Sequence, residues 1–270
     1  MTDYNSIRLA VEGRVARLTF ARPAARNSLT GESVLEIHDA AARVAAMNEV
    51  QVLVVRGEGR DFCPGADVKG YNAADTGGSD ATNAGPAGSS APSLLPYQTT
   101  VLLHEMPAVT IAAIQGGCAG AGFGWACACD IRVCDTGARF NTAFLDVSVA
   151  GDMAVPWLLP RIVGAGVARD LSFFPRKFDG VEADAMGLVS RLWSPEVFDA
   201  ELEALVARLA GAAPLALKAL KSHYVQAEGM GLADFVAVES ERHHQLFATQ
   251  DRAEAFAAYV EKRAPRFAGR

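Results

Sequence analysis

Two short apolar-rich runs, Ile7 to Val11 and Val15 to Phe20, flank Gly13 and predict a β-hairpin. Thr30 stands where a helix cap is expected. Apolar residues at Val34, Ile37, Ala41, Val44 and Ala45 then recur at helical spacing, which predicts a helix from Gly31 to about Met47. Val52 to Val55 is an unbroken apolar run, the pattern of a strand covered on both faces. The pattern lapses from 72 to 93, where small and polar residues replace large apolar ones. That segment is expected to be a flexible loop, either a surface insertion or a lid.

A second cycle begins at Leu94, with a helix to Met106 stopped by Pro107 and a strand from Val109 to Ile114. A glycine-rich turn follows, then a helix to Cys129 and a strand from Ile131 to Cys134. A third cycle runs from Phe140 through a helix near Val155 to Val163, ending in a strand over Leu188 to Leu192. Recurrence of strands followed by a helix predicts a spiral of similar turns. From Pro195 the pattern is helical: Pro195 to Leu209, Pro214 to Ala227, Gly231 to Phe247 and Gln250 to Arg263. The expected division is a core over 1–195 and a helical, oligomer-forming region over 196–270.

Composition narrows the function. The chain has 270 residues, half of them hydrophobic, and a net charge of −6. No basic tract suggests nucleic acid, no start like a signal peptide is seen, and the apolar stretch from Val109 to Ala128 is interrupted by glycines and a Gln. The expectation is a cytoplasmic protein with no membrane span. Five cysteines, Cys63, Cys118, Cys127, Cys129 and Cys134, are an odd number. Cys127-Ala128-Cys129 lacks zinc-knuckle spacing, so buried free thiols are expected and no metal site.

The chemistry is expected at two junctions, Phe62-Cys63-Pro64-Gly65-Ala66-Asp67-Val68-Lys69 and Gly116-Gly117-Cys118-Ala119-Gly120-Ala121-Gly122-Phe123-Gly124. Each is a small-residue turn after an apolar strand and before a helix. Such a turn leaves backbone N–H groups facing outward at a helix start, where they bind anions. Two of them together can form an oxyanion hole.

These motifs resemble the crotonase superfamily, the enoyl-CoA hydratase/isomerase fold. The resemblance rests on Arg22-Pro23 with Asn27-Ser28-Leu29, and on Gly57-Glu58-Gly59 with Phe62 and Gly65 to Lys69. Pro107 to Gly116 with Gly120-Ala121-Gly122 and Cys129 to Arg132, Leu159 to Gly164, and Tyr259 to Arg263 complete it. It implies an α/β fold, a crotonase-type spiral of repeated ββα units with a C-terminal helical region. It implies a homo-oligomer, a trimer or dimer of trimers, acting on an acyl-CoA, with coenzyme A as part of the substrate and no metal, flavin or redox cofactor. The N–H groups of Ala66 and Ala121 would hold the thioester oxygen. CoA would lie along the first loop, its phosphates facing Arg26 and its adenine near the backbone of Asp67 and Val68. Tyr259 and Lys262 match positions that reach the nucleotide, often from a neighbouring subunit.

The chain departs from that pattern in one respect. Hydratases of this family carry two glutamates that share a water, and those positions here are Gly124 and Phe144. Neither side chain can move a proton, so two-carboxylate hydration is not expected. Asp152 falls where dienoyl-CoA isomerase relatives carry a catalytic aspartate, but it can equally cap the helix near Val155. Asp146 is a weaker candidate, and His104, His243 and His244 are expected to be structural or exposed. The sequence leaves four readings open: hydratase/isomerase chemistry through an enolate, isomerisation using Asp152 alone, C–C hydrolysis or lysis of a cyclic CoA ester, and silent acyl-CoA binding.

Overall fold

The computed structural model describes residues 3–67 and 94–270, so the loop expected over 72–93 and the Val68 position lie outside the described residues. A hairpin of β1 (Ile7–Glu12) and β2 (Val15–Phe20) starts the chain, with Gly13 in the left-handed region at its turn. It joins a six-stranded sheet with β3 (Val52–Gly57), β4 (Val109–Ile114), β6 (Ile131–Asp135) and β9 (Arg191–Trp193), in the order β1-β2-β3-β4-β6-β9. All pairings but the hairpin are parallel. A second sheet holds the short strands β5 (Gly117–Ala119), β7 (Arg139–Asn141) and β8 (Phe178–Asp179).

The repeat is therefore long strand, short strand, helix. β4, β5 and α3 (Gly120–Ala128) form one turn; β6, β7 and α4 (Val155–Val163) form the next. In the turn before them, Cys63 replaces the short strand as an isolated bridge to Cys118, and α2 (Leu95–Glu105) is the helix. The expected turn after β4 is thus partly a strand.

Local chemistry sets the helix ends. Thr30 Oγ1 accepts the Ser33 N–H at the start of α1 (Gly31–Ala45), and Ser33 Oγ accepts the Thr30 N–H in return, a capping box. α1 buries Val34, Ile37, Ala41 and Val44 of the stripe predicted for it, while Ala45 is half-buried. The predicted strand at Leu188 begins later: Leu188 donates to the Ala183 carbonyl, and only Arg191–Trp193 pairs with β6. Two further helices, α5 (Ala165–Phe173) and α6 (Gly180–Ala185), fill the stretch between α4 and β9.

Beyond 196, α7 (Phe198–Ala210) lays Phe198, Leu202 and Val206 on Val52, Val54, Ile111 and Val133 of the sheet. α8 (Pro214–Ala227), α9 (Leu232–Phe247) and α10 (Gln250–Glu261) follow. α8 is pinned to the core by buried Lys221, whose Nζ donates to the Ala108 carbonyl at 2.8 Å and pairs with Asp130 at 2.7 Å. Among the described residues, no helix is long and apolar enough to cross a membrane.

Candidate active site

The two glycine turns meet. Phe62 N–H donates to the Gln115 carbonyl at 2.8 Å, Cys63 N–H to Gly117 at 2.9 Å, and Ala119 N–H to Cys63 at 3.0 Å. Past that ladder Gly65 takes φ +96°, a conformation that suits glycine. A Cβ there would stand 3.2 Å from the Ala119 carbonyl oxygen and 3.5 Å from the Ala121 nitrogen.

Ala66 pairs with Leu29 in a parallel bridge. The Leu29 N–H donates to the Gly65 carbonyl, and the Asp67 N–H donates to the Leu29 carbonyl, both at 2.9 Å. That pattern leaves the Ala66 amide turned away from Leu29. No acceptor among the described residues takes it. Ala121 is the second residue of α3, where a helix N–H has no intrahelical partner, and Ala119 supplies no side-chain cap. Two amides from different turns are thus left unclaimed by their own elements, on backbones so near that a Cβ at Gly65 would touch the other turn. The positive end of the α3 dipole lies at the same spot.

One helical turn along α3 stands Gly124. A Cβ on it would lie 2.5 Å from Met153 Cβ and 3.3 Å from the Asp152 carbonyl oxygen. The place a glutamate would leave from is therefore filled by Met153, itself buried, and Phe144 is only 5% exposed. Asp152 sits against this face of α3, half-buried. Its carboxylate does not cap α4: Oδ1 accepts the Met153 N–H at 2.9 Å, while the Val155 N–H goes to the Asp152 main-chain oxygen. Ala154 precedes the helix without a side-chain cap. A cavity of about 400 Å³ adjoins this segment between α4 and α5, lined by Phe144, Gly151, Val155, Leu159, Arg169 and Phe173 among others.

The CoA-side residues are more scattered. Arg26, with a side chain 58% exposed, reaches buried Asp61: Nε and Nη2 donate to its two oxygens at 2.7 and 3.0 Å. The Asp67 carboxylate pairs with Arg22 at 3.1 Å. Tyr259, 85% exposed, and Lys262, at the left-handed end of α10, stand out in solvent. Asp146 is exposed in a one-turn 3-10 helix. His104 meets Glu228 at 2.9 Å and the edge of Trp157, and His243 packs on Phe247.

All five cysteines are buried and free. Burial pushes Cys63, Cys127, Cys129 and Cys134 up to about 12 and Cys118 well above its ordinary value, so none is a ready nucleophile. Among the described residues, no group of three or more His, Cys, Asp or Glu is placed to hold a metal.

Sequence reasoning missed Asp61 and Met153, and took Asn27 only as part of a motif. Asp61 and Asn27 tie loops that lie far apart in the chain. Met153 matters only because it occupies the space beside Gly124.

The chain matches the family model for enoyl-CoA hydratase/isomerase over residues 10–270. It is 31% identical to the (E)-benzylidenesuccinyl-CoA hydratase of Thauera aromatica, with 97% of this chain and 99% of that protein covered. It is 27% identical to the peroxisomal Delta(3,5)-Delta(2,4)-dienoyl-CoA isomerase of Arabidopsis thaliana, over 97% of this chain and 95% of that one. A solved structure of a candidate enoyl-CoA hydratase from Streptomyces coelicolor A3(2) superposes with a TM-score of 0.89 at 33% identity, covering 100% of this chain and 96% of that one. With its glycine turns converging as they do and that match running to its last residue, the chain belongs to the enoyl-CoA hydratase/isomerase family, the crotonase superfamily, and is an acyl-CoA-processing enzyme of that family's type.

Proposed function

We propose that this enzyme shifts a double bond within an acyl-CoA, and that it adds no water. The observation that carries this reading is the contact between Gly124 and Met153, which fills the place of one carboxylate a hydratase needs. Phe144 stands at the other position.

In the proposed reaction the thioester oxygen accepts hydrogen bonds from the Ala66 and Ala121 amides. Asp152 takes a proton from the acyl α-carbon. The electron pair moves onto the thioester oxygen as an enolate, which the two amides and the α3 dipole stabilise. The proton returns at the γ-carbon, moving the double bond into conjugation. One carboxylate suffices, because one proton leaves and one proton is returned. The acyl end has room in the cavity beyond Asp152. The dienoyl-CoA isomerase relative agrees in kind.

The neighbouring copy of the chain completes this picture. Tyr259 and Lys262 face away from their own core, and α9 buries no residue. Their proposed CoA contacts are therefore made across a homo-oligomer, a trimer or a dimer of trimers. Free buried thiols suit a reducing compartment such as the cytoplasm.

The test follows the absorbance change as 3-enoyl-CoA becomes conjugated, with crotonyl-CoA hydration measured beside it. Wild type is expected to isomerise and not to hydrate. Asp152→Asn is expected to lose on the order of 10²–10⁴-fold in kcat while still binding the thioester. Hydration by wild type, unchanged in Asp152→Asn, would overturn the reading.

A further inference from the structure

We propose that Asp61 is a positioning residue that sets the spacing of the two amides, with Arg26 acting through it; this rests on the two-amide reading above. Asp61 sits where the two turns begin to run together, and its side chain is only 1% exposed. Its Oδ1 accepts the Gly117 N–H at 2.7 Å, in the gap of the ladder between the Phe62 and Cys63 hydrogen bonds. The same carboxylate takes both Arg26 donors, a two-point pairing that fixes orientation as well as distance. The backbones are tight at this joint: a Cβ on Gly116 would fall 2.0 Å from the Arg60 carbonyl oxygen.

Arg26 and Asn27 are both left-handed, at φ 58° and 62°. Such a pair of non-glycine residues persists only where its surroundings hold it. Here the kink sends Arg26 to the Asp61 carboxylate and Asn27 to the Asp61 backbone. Asn27 Nδ2 donates to the carbonyls of Glu58 at 3.0 Å and Asp61 at 2.6 Å, and Oδ1 accepts the Arg22 N–H at 2.9 Å. One buried carboxylate thereby joins the first loop, the strand leading to Ala66 and the strand leading to Ala121. Its charged form is favoured there. Burial pushes Asp61 up, but the Arg26 and Gly117 hydrogen bonds and the charges of Arg26 and Arg60 outweigh it, leaving the carboxyl below its ordinary value. A guanidinium held this way serves the hole before it serves a phosphate.

The test binds cinnamoyl-CoA to the full chain. Its conjugated acyl group has no γ-hydrogen to move, and its absorbance shifts to longer wavelength when the carbonyl is polarised. Wild type at saturation is expected to show the shift. Asp61→Asn and Arg26→Gln should each lose more than half of it, and each should lower kcat on 3-enoyl-CoA about tenfold with a smaller change in KM. The double variant should be no worse than Asp61→Asn alone. If Asp61→Asn does not fold, Arg26→Gln, on a half-exposed side chain, decides. A full wild-type shift in both variants overturns the inference. So does an Arg26→Gln variant whose only defect is a raised KM for CoA thioesters and not for pantetheine thioesters. A wild type without any shift contradicts the two-amide reading itself, and this inference falls with it.

Discussion

The turns around Ala66 and Ala121 are held by their own chain, while the helices after 196, α7 apart, bury few residues of their own. The first region has a backbone ladder, a buried carboxylate and close glycine contacts. In the second, α7 buries Phe198, Leu202 and Val206, α8 buries Ala219 and Lys221, and α9 buries nothing. α10 buries Asp251, which accepts the Ala268 and Gly269 amides at 2.7 and 2.8 Å, and Ala258. Val260, near its end, is 78% exposed. The contrast teaches that geometry-critical parts of the site are self-contained, and that the open parts are those expected to meet a second copy.

The largest expected effect on stability is at the anchor of the open region. Asp130→Asn leaves the Lys221 ammonium buried with the Ala108 carbonyl and a neutral amide. Burial already pushes Lys221 below its ordinary value, against the pull of Asp130. Denaturant unfolding should show a loss of about 3 kcal/mol. The exposed Arg263–Glu254 pair at the end of α10 gives the contrast. Its Arg263 hydrogen bond holds Glu254 down to about 2, yet Glu254→Gln should leave stability nearly unchanged, because solvent screens the pair.

Next comes the proposed hole. Ala66→Pro deletes one N–H and should reduce kcat by on the order of 10²–10³, with thioester affinity less affected. Smaller again is Gly124→Ala, whose methyl must displace Met153 and should cost about 1–3 kcal/mol. In a Met153→Gly background, where φ 45° suits glycine, that cost should vanish; persistence there would mean the contact is not what excludes a side chain at 124.

The smallest effect is on acid stability. Asp61 is depressed in the folded state, so its contribution is complete above its unfolded value, about 3.9. That contribution is lost as pH falls below that value through the folded one. Asp61→Asn should therefore flatten the acid limb of a stability–pH curve and leave its slope at neutral pH alone.

Much of this was legible in sequence because it is local. The Thr30 cap, the α1 stripe and the β3 run are written in residues within a few positions of one another. The strand β5 was not, because Gly117–Ala119 reads as a turn until β7 and Cys63 come beside it. Leu188 and Val189 were buried enough to read as strand, but burial does not require pairing. The approach of the two glycine turns was legible from their small residues. Asp61 was not, since its partners Arg26 and Gly117 are distant in the chain, and only folding sets three segments on one carboxylate.

The most direct measurement is a crystal structure with an acyl-CoA bound. The account predicts the thioester oxygen at about 2.7–3.1 Å from both the Ala66 and Ala121 nitrogens, with the Asp152 carboxylate beside the acyl carbons. A thioester oxygen held by other groups, with either amide turned away from it, would contradict it.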